Sequence, residues 1–521
     1  MTSHPVSVLR QTHQPDYGAS TRSILAGPIK GDVMSTPIDP APTVADELAE
    51  SEHDHLRSNS IGTWSIVFFV VSAAAPISII AGVSPLAILI GGIGAPVVYL
   101  IAGVVLLLFA VAFMAMTRHV KALGGFYTYI TKALGRVVGL GSGILALVSY
   151  NVLQIGLYGL MGVAGHEMFL AVFGIDVPWW LVAGVGIVLV FALAYIGVDI
   201  GAKVLGILLA LETLLLILLA IAVLVQGGAE GVQFGTFTSD AIFSPGMFVI
   251  IAFGFAAFSG FESTVLYRAE AREPHRTIPR ATYISVGFMA IFYAFMVWIV
   301  IQAFGESNIV AVTAENPAAI FFIASDRYLG TWAAIAMYML ILTSVYASQL
   351  AFHNAINRYA FALARDGILP AALHRTHPRF GSPYIAGILQ TLLAAVVVAA
   401  FAILGLDPYL QLLLWVNSPG VIGVIVLQVL MSVAVVVFFA RRRDLARKRY
   451  ILPAAIVSSF LFIALVVLLI INIDVLTAAG PVINTILVLI VPASFLIGAA
   501  MAMRLRAKDP AAFERIGGGE A

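Results

Sequence analysis

Long apolar runs, separated by short polar stretches, fill this chain from about residue 61 to residue 503. A helix needs about 20 apolar residues to cross about 30 Å of hydrocarbon. Roughly twelve runs are long enough: residues 64–92, 95–116, 137–169, 179–197, 201–225 and 246–267, then 282–303, 331–361, 384–404, 410–440, 451–473 and 481–503. Residues 207–225 are Leu, Ile, Ala and Val throughout, broken only by Glu212 and Thr213. One such run can be a buried core helix; a dozen in one chain predict an all-α, multi-pass membrane protein. The polar, proline-containing residues 1–60 carry a cluster of acids over 46–52 and lack the basic-then-apolar pattern of a cleaved signal, so they read as a largely disordered cytoplasmic tail. An amphipathic element over 44–56, capping the cytoplasmic mouth, is the other reading of that segment. A transmembrane domain is expected over 61–505 and a second cytoplasmic tail over 506–521. On the outer side, residues 316–328 are expected to form a short interfacial helix.

Composition agrees with this pattern. Hydrophobic residues make up 61% of the 521 positions and charged residues 11%, where a soluble domain carries about a quarter. This excludes a soluble enzyme, a disordered scaffold and a nucleic-acid-binding protein, and the net charge of +1 offers no polycation for nucleic acid. Cysteine is absent, which rules out thiolate metal sites and cysteine catalysis. With the N-terminus inside, all but Arg327 of the 28 Lys and Arg fall on one face. One missed or invented helix would scramble that asymmetry, so both termini are expected in the cytoplasm and the protein in the cytoplasmic membrane.

Two runs carry helix breakers. The first reads S-A-A-A-P-I-S-I-I-A-G-V-S-P, with Pro76, Gly82 and Pro85 inside it, and the sixth contains Gly254, Ser259 and Gly260. Proline removes a backbone donor, and glycine permits unwound conformations. Interrupted segments at corresponding positions of two halves point to a transporter site between repeats. Spans one and six are five apart, which suits a five-plus-five inverted repeat with spans eleven and twelve appended and helices 1 and 6 broken. Unwound backbone at membrane depth needs water, protein or a polar ligand beside it. Helix ends offer N–H groups to a carboxylate and carbonyls to an ammonium. The expected substrate-binding backbone is Ile80, Ala81, Gly82, Val83 and Ser84 with Phe258, Ser259, Gly260 and Phe261. The other reading is that Gly82 and Gly260 only allow close helix packing.

At these residues the sequence resembles the amino acid–polyamine–organocation (APC) superfamily of permeases, over about residues 61–503. The resemblance rests on F-S-G-F-E at 258–262 running on to E-A-R-E-P-H-R-T-I-P-R-A at 270–281, on G-G-F-Y-T-Y-I-T-K-A-L-G at 124–135, and on N-R-Y-A-F-A-L-A-R-D-G-I-L-P at 357–370 followed by H-P-R-F-G-S-P at 377–383. It implies amino acid, amine or polyamine transport by alternating access, in the fold first seen in a bacterial leucine transporter. It also implies that Glu262 lies near the inner side of the substrate cavity. Some proton-coupled relatives look to have a lysine in span five where this chain has Glu212, which leaves the coupling ion open.

Three acids remain inside spans: Glu167, Glu212 and Glu262. A charge at the bilayer centre is costly, so such residues face a cavity or titrate to neutral. Glu262 and Glu212 are therefore candidates for coupling or gating, against ordinary packing acids, whereas Glu167 reads as a solvated helix end beside His166. Asn151, Gln154 and Tyr158 share a face of span three, after Tyr150, and either line the pathway or bond between helices. Phe255, Phe258 and Phe261 read as a hydrophobic lid or as aromatic packing. Ser344, Ser348, His353, Asn354 and Asn357 form a polar stripe in span eight; Asn417 and Ser418 precede a possible bend in span ten. Glu270, Arg272, Glu273, Arg276 and Arg280 mix both signs on one loop, either as pairs that form when an inner gate closes or as ordinary positive-inside topology. No metal-ligand spacing, phosphate loop or nucleophile elbow is present, so no cofactor is expected and energy should come from a gradient. The sequence thus predicts a secondary transporter of an amino acid or related amine, proton-coupled, with an exchanger or a non-transporting nutrient sensor as the alternatives.

Overall fold

The computed structural model describes residues 61–120, 124–196, 198–268, 270–315, 319–442 and 450–518. The expected N-terminal tail, with its element over 44–56, lies outside the described residues. Eleven helical stretches among them are long and apolar enough to cross a membrane. The first, Thr63–Thr117, has 55 residues, about 80 Å at helical rise and enough for two crossings. Gly92 divides it with φ +60°, a conformation that costs a residue without a side chain nothing. The chain belongs to the all-α class, and the expected count of about twelve spans agrees with it.

The third helix is Arg136–Phe173, the fourth Trp179–Ile196, the fifth Val198–Val225 and the sixth Pro245–Ala256. The seventh is Pro274–Phe304, the eighth Thr331–Arg365 and the ninth Tyr384–Ile403. A π-helical turn, Pro408–Leu413, opens the tenth, which continues as Leu414–Arg441 through Pro419. The eleventh is Ile451–Ile471 and the twelfth Pro481–Lys508. Helices one, two, three, six, seven, eight and ten are mostly buried in protein, whereas four, five, nine, eleven and twelve form the rim. The fifth shows how the sequence divides its faces. Ile207, Leu211, Leu214 and Ile221 lie at the surface, where lipid solvates them, and Glu212 is turned into the protein.

Between the seventh and eighth spans stand two short helices, Ile309–Glu315 and Ile320–Leu329, so the expected interfacial helix begins at Ile320; residues 316–318 lie outside the described residues. The expected tail from 506 is not featureless. The twelfth helix runs on to Lys508, and a further helix, Pro510–Arg515, folds back onto the protein.

Candidate functional site

The first span loses regular α-helix about two turns earlier than its glycine suggests. The helix Thr63–Ala73 stops where Ala75 takes φ +47°. Proline disfavours α geometry in the residue before it, and Pro76 follows. A turn of helix, Pro76–Ser78, then leads into a π-helical stretch, Ile79–Val83, that contains Gly82. The last carbonyl of the first segment is not stranded: the Ser348 hydroxyl on the eighth helix donates to Ala73 O at 2.6 Å.

The sixth span has its own departure. After Ala256 the chain turns through Gly260, at φ +104°, into a 3₁₀ helix, Phe261–Tyr267. Gly260 faces Ala73 so closely that an added Cβ would sit 3.0 Å from the Ala73 Cβ. The two irregular stretches therefore touch.

A cavity of about 170 Å³ lies beside this contact. Ala73, Ala74, Ala75, Ser78, Ile79 and Val83 line it from the first span, and Phe253, Ala256, Ala257 and Ser259 from the sixth. Leu153 and Leu157, Ser348 and Phe352, and Tyr409, Asn417 and Ser418 close it from spans three, eight and ten. No charged side chain lines it. The Ser78 hydroxyl is buried there with no hydrogen-bond partner among the described residues.

Of the expected site residues, only Val83 and Ser259 line this cavity. Ile80 and Ala81 are buried in protein, and the Ser84 hydroxyl bonds back to Ile80 O at 2.5 Å. Phe255 packs on Phe462 at 6.1 Å, Phe258 on Tyr293 at 5.9 Å and Phe261 on Phe109 at 6.0 Å. The polar residues of span three turn away as well. Gln154 donates to Gln349 O at 3.1 Å and receives from Gln349 Nε2 at 3.0 Å at its own carbonyl. It also accepts from Gln390 and reaches Tyr158 at 3.5 Å. These amides join helices three, eight and nine. Asn151 bonds back to Leu147 O and borders a separate apolar groove. Sequence reasoning missed Ala73–Ala75 as the point of interruption, although the residue before Pro76 carries the signal.

Three further contacts tie spans one, three, six and eight together. Tyr150 donates to Glu262 Oε1 at 2.5 Å, and Gly260 N–H approaches the same oxygen at 3.3 Å. Phe69 stacks on Tyr267 at 5.0 Å between ring centroids. Arg358 then grips Glu270 in a buried, two-pronged ion pair. Beside it Ile61 N–H donates to Glu270 O at 3.0 Å, and Arg272 N–H to Ile61 O at 2.9 Å. Glu270 thus pairs with Arg358 on the eighth helix, while on its own loop Arg276 and Glu273 meet at 3.2 Å on the surface. The other deep acid, Glu212, sits beside the Ser344 hydroxyl and the Ile77 N–H, just past the first-span interruption. Glu167 is exposed near the end of the third helix.

A bundle of apolar helices around an uncharged internal cavity, shut on one side by layered contacts, is the architecture of a multi-pass membrane transporter. A family model for amino acid permeases matches residues 61–492, and the chain belongs to that family, within the APC superfamily. It is similar to the branched-chain amino acid permease BcaP of Bacillus subtilis (24% identical, covering 68% of this chain and 76% of that protein). It is also similar to the low-affinity putrescine importer PlaP of Escherichia coli K12 (21% identical, 55% and 63%) and to the human cystine/glutamate transporter (23% identical, 55% and 57%). The chain spans less than two thirds of the length of these last two. The family and these relatives are permeases and transporters rather than enzymes, the relatives being named for branched-chain amino acids, for putrescine, and for cystine and glutamate.

Proposed function

We propose that the protein is a secondary transporter of neutral aliphatic amino acids, working by alternating access in the cytoplasmic membrane with both termini inside. The observation that carries this reading is the cavity between the two interrupted spans, whose lining holds no charged side chain. A diamine buried there would keep two unpaired charges, and a dicarboxylate would lack a cation, each at a cost of several kcal/mol (roughly). A zwitterion needs only dipoles. Leu153, Leu157 and Phe352 receive its side chain, and a cavity of about 150 Å³ already admits a molecule the size of benzene. The branched-chain amino acids for which BcaP is named agree with this lining better than putrescine does.

The N–H groups of Ala74, Ala75, Ser78 and Ile79 are all engaged with first-span carbonyls, so a substrate carboxylate takes its hydrogen bond from the free Ser78 hydroxyl. The Arg358–Glu270 pair and the Ile61 bridge form an inner gate, closed in this conformer. The five-plus-five repeat, with helices eleven and twelve appended, belongs to the same proposal. Coupling is to protons: Glu212 and Glu262 are buried, and each keeps one oxygen without a hydrogen-bond partner, available to take up and release a proton.

Proteoliposomes test the reading. Leucine, isoleucine and valine should enter, and putrescine and glutamate should not; an imposed inward proton gradient should raise accumulation. Ser78→Ala should raise KM about tenfold, the worth of one hydrogen bond to a charged group. Uptake of putrescine in preference to leucine, or an unchanged KM in Ser78→Ala, would overturn the substrate assignment. Accumulation indifferent to the gradient would overturn the coupling.

A further inference from the structure

The chain's last described segment builds a second site, far from the transport cavity. After Asp509 the helix Pro510–Arg515 lies across the ends of the third and eighth helices. Phe513 sits under the guanidinium groups of Arg136 and Arg506, 5.5 and 6.0 Å from its ring centroid, and Ile516 is buried. Asp366, at the end of the eighth helix, anchors the turn that follows. Its Oδ2 accepts from Tyr127 at 2.9 Å, from Gly517 N–H at 3.0 Å and from Gly518 N–H at 3.1 Å. Burial, and then the Asp366 carboxylate, pushes the Tyr127 phenol up, so it stays a donor.

Under this strap is a cavity of about 1050 Å³, lined by Lys132, Arg136, Arg365 and Arg515 together with Asp366 and Glu514. Four cations face two anions there, and both anions are already engaged. Glu514 is paired with Arg136, and Asp366 is held by the strap and by Arg365 at 3.5 Å. The side chains of Lys132 and Arg515 have neither an ion-pair nor a hydrogen-bond partner among the described residues. Two cations held at one cavity with no ion-pair partner among the described residues repel each other, and an anion between them removes that cost.

We propose that this cavity binds a phosphate-bearing anion, held by Lys132 and Arg515 with Arg136 and Arg365 in support. Arginine forks match phosphate oxygens in pairs, and lysine adds a point charge. The volume exceeds that of inorganic phosphate alone and has room for a phosphodiester with its substituents. The twelfth helix, whose end carries the strap, presents Leu496, Ile497 and Met503 to the lipid, so an anionic phospholipid headgroup reaches the mouth from the same leaflet. A soluble phosphate compound reaches it from the aqueous side.

The site stands apart from the transport reading and is tested without measuring transport. The full-length protein is placed in nanodiscs of phosphatidylcholine, of phosphatidylcholine with phosphatidylglycerol, or of phosphatidylcholine with added inorganic phosphate, and its melting midpoint is followed. Wild type should melt higher with one or both phosphate sources. In Lys132→Gln/Arg515→Gln, the amount needed for the same shift should rise about tenfold or more, while Arg280→Gln, an exposed arginine outside the cavity, should respond as wild type. A response to phosphatidylglycerol alone identifies a headgroup site, and a response to inorganic phosphate a soluble ligand. No shift with either source, a double variant that responds as wild type, or an equal loss in Arg280→Gln would each overturn the proposal.

Discussion

Arg358 and Glu270 meet through two parallel hydrogen bonds, Nε to Oε1 at 2.7 Å and Nη2 to Oε2 at 2.9 Å, with both side chains almost fully buried. Tyr267 lies under the guanidinium at 4.6 Å, and the Arg358 Nη1 donates to Asn354 O at 2.8 Å. The pair fastens the eighth helix to the loop that follows the sixth span, while Ile61 fastens the start of the first span to the same loop. Removing one partner of such a pair leaves a buried charge uncompensated, at about 3–5 kcal/mol. Arg358→Gln and Glu270→Gln should each shift the protein toward an inward-open form and abolish accumulation. The double variant leaves no bare charge and should recover much of the lost thermal stability without recovering accumulation. The chain has no cysteine, so a single Ala257→Cys reports access: labelling from the inner face should speed up in each single variant.

Ala75 carries a second, smaller strain. A residue with a Cβ in the left-handed region costs about 1–2 kcal/mol relative to glycine, and Ala75 sits there at φ +47° directly before Pro76. Ala75→Gly should therefore keep the fold and transport, and Ala75→Val should cost more than the alanine does, because a β-branched side chain fits that region worst. Thermal melts and leucine uptake of the two variants give the comparison. Equal behaviour of glycine and valine would mean that the interruption is not where this φ angle puts it.

The membrane-spanning helices were legible because they depend on the length of apolar runs, a local property of the sequence. Small and breaking residues marked the first and sixth spans, but the marker chosen, Gly82, lies within the π-helical turn, past the point where the α-helix ends. Proline acts on the residue before it, and that rule points to Ala75. The polar positions of span three were legible as a face but not as a destination. Gln154 could serve a ligand or other amides, and its partners, Gln349 and Gln390, are 195 and 236 residues away in sequence. Glu270 posed the same difficulty: its loop offered several arginines, and only tertiary packing shows that Arg358, on another helix, holds it. A cavity wall of Leu153, Phe352, Tyr409 and Asn417 comes from three separate spans, and no motif joins them.

Glu230 ties the loop after the fifth helix to the turn that follows the seventh. The Ser307 hydroxyl and N–H, then the Glu306 N–H and Asn308 side chain, bond its carboxylate and hold it below the usual carboxylate range. A group whose folded pKa is depressed adds stability above its unfolded pKa, and that stability is lost as pH falls through the folded value. Acid should therefore loosen this contact while leaving it intact at neutral pH. Glu230→Gln should flatten the acid side of the melting-versus-pH curve and change little near neutrality, since the carboxylate is exposed. A curve with the same acid slope in wild type and variant would show that other groups govern it.

Tyr150 and Glu262 give the last prediction, because their bond joins the third helix to the turn of the sixth directly under the cavity. Tyr150 also packs on Phe352, 5.9 Å between ring centroids, and Phe352 lines the cavity. In the proposed mechanism, substrate and acid therefore act on one tyrosine. Tyr150→Phe keeps the ring against Phe352 and removes the donor, leaving the Glu262 carboxylate with backbone N–H contacts from Gly260 and Glu262. Glu262→Gln keeps an acceptor for the tyrosine but can carry no proton. If Glu262 moves the proton, Glu262→Gln should still exchange labelled leucine for unlabelled at near wild-type rate yet fail to accumulate it against a gradient. Tyr150→Phe should lower exchange and accumulation together, because it loosens the floor of the site. The parallel variant Glu212→Gln separates the two acids: whichever amide abolishes accumulation while sparing exchange marks the coupling carboxyl. Accumulation at wild-type level in both amide variants would leave proton coupling without a carrier among the deep acids and would exclude it as proposed.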